Sequence, residues 1–121
     1  MSKTVLIVDD ASLIRSVANK AAQAAGYKTV LATNGVEGFE MLEANKIDMI
    51  FSDINMPVMG GMEMVEKIRS MDKYQFLPIV MLTTESSAAL KAQAKAHGVK
   101  AWLLKPFNKE KFLLVLKKLL G

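Results

Sequence analysis

The sequence predicts an α/β protein built on a doubly wound parallel sheet in three layers. Short runs that are apolar throughout recur along the chain, as expected for strands buried on both faces. A segment with helical apolar periodicity follows each run. Because crossovers between parallel strands are right-handed, the five expected helices cover both faces of the five-stranded sheet.

The first half of the chain is expected to hold two strand–helix pairs. The first strand covers residues 4–8, and the helix after it repeats apolar residues at three- and four-residue steps. Gly26 is expected to end that helix, because glycine commonly adopts the left-handed conformation that follows a helix end. The second strand covers about 28–32, and a short helix with Val36 and Phe39 on one side follows it.

The second half repeats the pattern three times. Strand three covers 49–52, and helix three places Met64, Val65, Ile68 and Met71 on one side. The remaining elements are expected as strand four at 79–83, helix four at about 88–97 before Gly98, strand five at 101–104, and a last helix at about 109–120.

Composition restricts the class of protein. Of 121 residues, 51% are hydrophobic and 23% are charged, which is typical of a globular chain. The absence of cysteine excludes disulfides, thiolate metal sites and cysteine nucleophiles. No apolar run is long enough for a membrane span, and MSKTVLIVDD does not have the pattern of a signal peptide. We therefore expect a single domain over residues 1–121 in the cytoplasm.

The net charge of +4 is unevenly distributed. From Lys91 onward the chain has eight lysines and one acid, Glu110. These lysines are either ordinary solvated side chains or a basic face for an acidic partner. With two arginines and no helix-turn-helix pattern, a nucleic acid is not expected as a partner. Because no apolar run is long enough for a span, a membrane is not expected either.

Polar side chains follow the predicted strands at the places where the strands end. They are Asp9 and Asp10, Asp53, Thr83 and Lys105. Ligands of doubly wound sheets bind at the carboxyl ends of the strands, so these residues are expected to converge there. Asp10 could instead cap the first helix, an alternative that the sequence leaves open.

The chemistry of this set favours phosphoryl transfer. Three adjacent carboxylates repel one another, and a hard cation such as Mg²⁺ relieves the repulsion. Asp53 stands alone after the central strand and is the best nucleophile candidate, whereas Asp9 and Asp10 suit a metal role. Lys105 and Thr83 could bind the phosphoryl oxygens. The one histidine, His97, lies late in helix four and is not expected to take part.

Four motifs together resemble the receiver domains of two-component response regulators, and in particular the stand-alone chemotaxis regulators of the CheY type. They are LIVDDASLIR at 6–15, SDINMPVMGG at 52–61, MLTT at 81–84 and LLKPF at 103–107. The resemblance covers essentially the whole chain. It implies a flavodoxin-like sheet with strand order 2-1-3-4-5.

The resemblance also implies roles for individual residues. Asp53 would be the phosphoacceptor, and Asp10, Asp53 and the carbonyl of Asn55 would coordinate Mg²⁺ directly. Asp9 would act through a metal-bound water. Thr83 and Lys105 would bind phosphoryl oxygens in the active state, with a cis peptide before Pro106 aiming the lysine.

The implied function is a monomeric signalling switch that catalyses only its own phosphorylation and dephosphorylation. A sensor histidine kinase would be the phosphodonor, and a phosphatase and a downstream target such as the flagellar motor switch would be partners. The target-binding face would comprise helix four, strand five and helix five, where Leu114 is expected to be exposed among lysines.

The sequence leaves two other functions open. One is a Mg²⁺-dependent phosphohydrolase for small substrates, and the other is a degenerate receiver that serves only as a scaffold. One residue departs from the family pattern, because Trp102 stands three residues before Lys105 where the family usually has Tyr or Phe. Trp102 is therefore either a larger version of the family's aromatic switch or fixed packing.

Overall fold

A computed structural model describes residues 2–121, in which five strands alternate with five α-helices. In chain order the elements are β1 (Thr4–Val8), α1 (Ser12–Ala24), β2 (Lys28–Ala32), α2 (Gly35–Ala44), β3 (Met49–Ser52), α3 (Gly61–Arg69), β4 (Ile79–Thr83), α4 (Ala88–Ala96), β5 (Ala101–Leu104) and α5 (Lys109–Leu120). All five strands lie where the sequence predicts them. A short 3₁₀ helix, Asp72–Tyr74, between α3 and β4 was not predicted.

The strands form one parallel sheet in the order β2-β1-β3-β4-β5, which confirms the predicted topology. The register pairs Val5 with Met49 and Ile50 with Ile79, so the ends of neighbouring strands are nearly aligned. All carboxyl ends therefore meet at one edge, called here the site edge. The amino ends meet at the opposite edge, called the basal edge.

Two apolar clusters separate the helices into layers. One packs α2, α3 and α4 against one face of the sheet around residues such as Leu42 and Ile68. The other packs α1 and α5 against the opposite face, where the rings of Phe51 and Phe112 lie 4.5 Å apart. Burial on both faces explains why the strands read as unbroken apolar runs.

Two helix ends differ from the sequence-based expectation. Helix α3 ends at Arg69, so Met71 lies beyond the helix, although it packs against the same apolar cluster as the helix residues Val65 and Ile68. The hydroxyl of Ser70 donates to the carbonyl of Lys67 at 2.6 Å and takes up an acceptor in the last turn. Helix α4 ends at Ala96, one residue early, before Gly98 turns the chain with a φ of +75°.

No helix within residues 2–121 combines the length and the apolarity needed to cross a membrane.

Candidate functional site

Three carboxylates meet at the centre of the site edge. Asp9 and Asp10 follow β1, Asp53 follows β3, and these two strands pair directly through Val8 and Ser52. Oxygen atoms of the three side chains all lie within 4.8 Å of one another. The structure thus brings together the acids that the sequence singles out.

Asp9 and Asp10 have different environments although they are neighbours in the chain. Asp9 is 1% exposed, and its Oδ1 accepts a hydrogen bond from the amide of Ala11 at 2.9 Å. Asp10 is exposed, and Ala11 rather than Asp10 occupies the N-cap of α1, without a side-chain cap. The structure therefore does not support the alternative in which Asp10 caps the helix.

Lys105 reaches from the end of β5 to two of the acids. Its Nζ donates to Asp9 Oδ2 at 2.6 Å and to Asp53 Oδ2 at 3.0 Å. The peptide before Pro106 is cis, as the resemblance implies. The ammonium therefore offsets part of the negative charge of the cluster and lies within reach of any group bound to Asp53.

Burial and the neighbouring charges shift the pKa values of Asp9 and Lys105 in opposite directions. Burial raises the pKa of Asp9 above its ordinary value, although the hydrogen bonds from Lys105 and Ala11 oppose the shift. Burial alone would lower the pKa of Lys105, but the two carboxylates outweigh it and raise that pKa. Lys105 is therefore held firmly in its charged form.

Asp53 is fixed in place by the main chain around it. It is 8% exposed, and its Oδ1 accepts from the amide of Ile54 at 2.7 Å. Helix α3 starts so close by that a Cβ on Gly61 would lie 2.0 Å from the carbonyl oxygen of Asp53. Only glycine fits there, and this contact brings the N-terminus of α3 against the strand end that carries Asp53.

Thr83 and Asn55 meet a residue that sequence reasoning missed. Thr83 is fully buried at the end of β4, and its Oγ1 accepts from the amide of Glu85 at 3.1 Å. The Glu85 Oε1 accepts from Asn55 Nδ2 at 2.8 Å, and the Glu85 carbonyl accepts from Trp102 Nε1 at 2.9 Å. Glu85 thus connects three residues that the sequence had singled out.

A signal for Glu85 was available in the sequence. The residue lies two positions after Thr83, in the loop that leaves the site edge, where acids and hydroxyls are expected to gather. Its side-chain partner 30 residues away in the chain is not encoded by any local pattern.

The loop after Asp53 contains a strained turn. Val58 has a φ of +68°, and the amide of Met59 donates to the carbonyl of Pro57 at 2.7 Å. This bond closes a three-residue turn of the strained kind, with a β-branched residue at its centre. The Val58 side chain is 82% exposed, so no packing offsets the strain.

The donor set at this edge fits a hard divalent cation. All candidate ligands are oxygens, and two of the three carboxylates, Asp9 and Asp53, already share Lys105. The third, Asp10, accepts no hydrogen bond from the described part of the chain. Oxygen-only sets containing carboxylates and carbonyls are typical of Mg²⁺ sites that keep several waters.

The fold and this constellation define a class of protein, the receiver domains of two-component signalling. The response regulator receiver domain family matches residues 5–117, and the chain belongs to that family. It resembles most particularly the chemotaxis regulators. It is 39% identical over 118 residues to chemotaxis protein CheY1 of Helicobacter pylori, covering 93% of this chain and 95% of that protein.

Other relatives agree. The chain is 36% identical over 119 residues to a chemotaxis protein CheY homolog of Campylobacter jejuni, covering 97% of this chain and 92% of that one. Among solved structures, chemotaxis protein CheY4 of Vibrio cholerae superposes with a TM-score of 0.93 at 42% identity, covering 99% of this chain and 100% of the other. The flavodoxin-like fold is thereby confirmed.

Proposed function

We propose that this chain is a phosphorylation-activated response regulator of a chemotaxis system that accepts a phosphoryl group on Asp53. The observation that carries the proposal is the Asp53 carboxylate itself. One oxygen is held by the amide of Ile54, and the other receives Lys105 at 3.0 Å beside two further acids. Such a carboxylate is held in a fixed orientation at the site edge and lies next to a fixed cation.

The proposed reaction is an in-line displacement at phosphorus. A carboxylate oxygen of Asp53 forms an O–P bond while the bond between phosphorus and the donor breaks, and the donor leaves with that electron pair. With a phosphohistidine donor, the imidazole is released. The product is an acyl phosphate on Asp53, which water later hydrolyses.

Two side chains of the site suit the transferred group. The Lys105 ammonium, now shared between Asp9 and Asp53, can pair with one phosphoryl oxygen. The Thr83 hydroxyl can donate to another once it leaves the Glu85 amide. Both interactions stabilise charge that grows on the equatorial oxygens during transfer.

Mg²⁺ would be held by Asp10, Asp53 and the carbonyl of Asn55, with Asp9 acting through a bound water. The ion would neutralise the acids and the phosphoryl oxygens together. The three clustered carboxylates are the support for this assignment.

The partners follow from the class of protein. A histidine kinase is the expected donor, in line with 33% identity over 116 residues to part of the sensor histidine kinase CheAY of Helicobacter pylori, 14% of that protein. We propose that the chain is a single-domain, monomeric switch in the cytoplasm rather than an enzyme for external substrates. A phosphatase would reset it.

The proposed output surface comprises α4, β5 and α5. Leu114 is 67% exposed on α5, near Lys118, and Lys91 places its ammonium 5.9 Å from the Trp102 ring centroid. An exposed leucine among lysines suits an acidic amphipathic helix. The flagellar motor switch is the candidate target in a chemotaxis system.

Mass spectrometry after incubation with acetyl phosphate and Mg²⁺ tests the proposal. Wild-type protein should gain one phosphoryl group, mapped to Asp53, and Asp53→Asn should gain none while staying folded. Asp72→Asn, which removes an exposed acid far from the site, is the matched control and should be labelled normally. No labelling of the wild type would favour a scaffold, and turnover of small phosphate esters would favour a phosphohydrolase.

A further inference from the structure

The basal edge, opposite the site, carries lysines at the first residue of a strand or in the segments that lead into the strands. Lys3 precedes β1, Lys28 opens β2, Lys46 precedes β3, Lys73 lies in the 3₁₀ helix before β4, and Lys100 precedes β5. All five side chains are exposed. We infer that this edge docks on an anionic lipid bilayer, with the site edge facing away from it.

Main-chain contacts bring these lysines to a common edge. The amide of Lys28 donates to the carbonyl of Lys3 at 2.9 Å, and the amide of Lys100 donates to the carbonyl of Ile79 at 2.8 Å. Lys3, Lys28 and Lys46 line one concavity of about 310 Å³. Three of the five lysines therefore lie next to one another around a single hollow.

Within residues 2–121 the basal lysines make no close ion pairs, although Asp48 and Asp72 lie near them. Every close ion pair in that part of the chain involves either Lys105 or His97. The nearby Asp48 carboxylate accepts from the amide of Thr4 at 2.8 Å, and it is the one acid lining the hollow.

Helix dipoles account for only one of the five basal lysines. Cations favour the last turn of a helix, which explains Lys67 and Lys95 in α3 and α4 and also Lys73 in the 3₁₀ helix. The other four basal lysines, Lys3, Lys28, Lys46 and Lys100, lie outside the helices of the described residues. Their common position is a property of the sheet edge.

An exposed aromatic ring accompanies the lysines. Phe76 is 88% exposed and lies three residues before β4, at the basal edge. Lysines around a projecting aromatic side chain suit a bilayer surface, because anionic headgroups attract the ammonium groups and the interface accepts the ring.

The distribution of charge favours a lipid surface over a nucleic acid. Arg69, the one arginine near this edge, is occupied by the carbonyls of Tyr74 and His97 and is not free to read bases. The site edge carries the acids Asp9, Asp10 and Asp53, which an anionic surface repels. The positive basal edge and the negative site edge together orient the molecule on an anionic surface. The expectation of no membrane partner rested on the missing span, which has no bearing on surface docking.

Vesicle co-sedimentation tests the inference on the intact, unphosphorylated protein without metal, so the result is independent of the proposed function. At low salt the protein should sediment with vesicles containing phosphatidylglycerol and not with pure phosphatidylcholine. Added salt should release it, since the attraction is screened. Equal binding to both vesicles, or to neither, would overturn the inference.

A charge-matched pair of triple variants separates the basal edge from net charge. Lys3→Gln, Lys28→Gln and Lys46→Gln together should lower the vesicle partition coefficient by about a hundredfold, as expected for three lysines near an anionic surface. Lys91→Gln, Lys109→Gln and Lys111→Gln make the same charge change elsewhere and should lower it far less. Equal losses in the two triples would refute a specific edge.

Two further measurements complete the test. Phe76→Ser should weaken partitioning several-fold without changing its salt dependence. Duplex DNA at the same ionic strength should compete poorly for the vesicle-bound protein. If DNA displaces the protein completely and binds it through the same three lysines, the occupant is a nucleic acid and the lipid inference is wrong.

Discussion

The indole nitrogen of Trp102 donates to the main-chain carbonyl of Glu85 at 2.9 Å. The amide of the same Glu85 donates to the hydroxyl of Thr83. If the Thr83 hydroxyl moves toward a phosphoryl group, it must release the amide of Glu85, while the Trp102 indole still binds the carbonyl of the same residue. Trp102 and Thr83 are thus both hydrogen-bonded to Glu85, which is the route by which a change at the site could reach the ring.

The first prediction uses Trp102, the only tryptophan, as a reporter. Adding Mg²⁺ with beryllofluoride, a phosphoryl mimic, should shift its emission to shorter wavelength, because the half-buried ring becomes more buried when Thr83 moves. Mg²⁺ alone should cause much less change, since it does not recruit the hydroxyl.

Thr83→Ala is the control for that experiment. It removes the hydroxyl that links Glu85 to the site and should blunt the emission shift while metal binding persists. An unchanged spectrum in wild-type protein that demonstrably binds the mimic would identify Trp102 as static.

Asp10→Asn should separate metal binding from stability. The variant should bind Mg²⁺ about tenfold or more weakly, because ligand charge sets the affinity of oxygen sites. Without metal, its free energy of unfolding should stay unchanged or rise, since repulsion among the acids falls and no helix cap is lost. Metal titration and urea unfolding in EDTA measure the two effects. A clear loss of stability would restore the capping role.

Lys105 should make stability depend on alkaline pH. Its folded pKa lies above the ordinary 10.5, so its stabilising contribution is complete below pH 10.5 and is lost as pH rises through the folded pKa. At neutral pH, Lys105→Met should unfold more easily by about 3 kcal/mol, because two partly buried carboxylates lose their partner. The difference between wild type and variant, followed by urea unfolding from pH 7 to 12, should shrink at the alkaline end. A constant difference would contradict the assignment.

Val58→Gly should stabilise the protein. Glycine adopts the positive φ of this turn without strain, whereas valine pays about 1 kcal/mol or more for it. Denaturant unfolding should show a gain of several tenths to 1 kcal/mol after the entropy cost of glycine. Val17→Gly, at an exposed valine inside α1, should instead destabilise, and a loss at both positions would remove the case for strain.

The fold was largely predictable because its signals are local. Each strand except β2, which begins with Lys28 and Thr29, is dominated by an apolar run. Gly26 and Gly98 adopt positive φ at the helix ends where the sequence places them. Apolar periodicity places Met71 correctly against the core, but it does not locate the end of α3 at Arg69, where the hydroxyl of Ser70 bonds to the carbonyl of Lys67.

The residues of the site could be predicted from the sequence, but the burial and the long-range contacts of each one could not. Asp9 and Asp10 looked equivalent in the chain, yet successive side chains after a strand point to opposite sides, and only Asp9 is buried. The contact between Asp9 and Lys105 spans 96 positions, and no local pattern encodes it. The same holds for the bond between Asn55 and Glu85.

The close approach of Gly61 to the carbonyl of Asp53 has a consequence for how freely this sequence can vary. Any side chain at position 61 would collide with the backbone of Asp53, the proposed phosphoacceptor, so a substitution there should affect the proposed chemistry and the packing at once. In a library of all single substitutions, position 61 should tolerate none, while exposed Val58 three residues earlier should accept many. Selection on signalling and selection on folding therefore both act on Gly61, whereas at Val58, three residues earlier, they do not coincide.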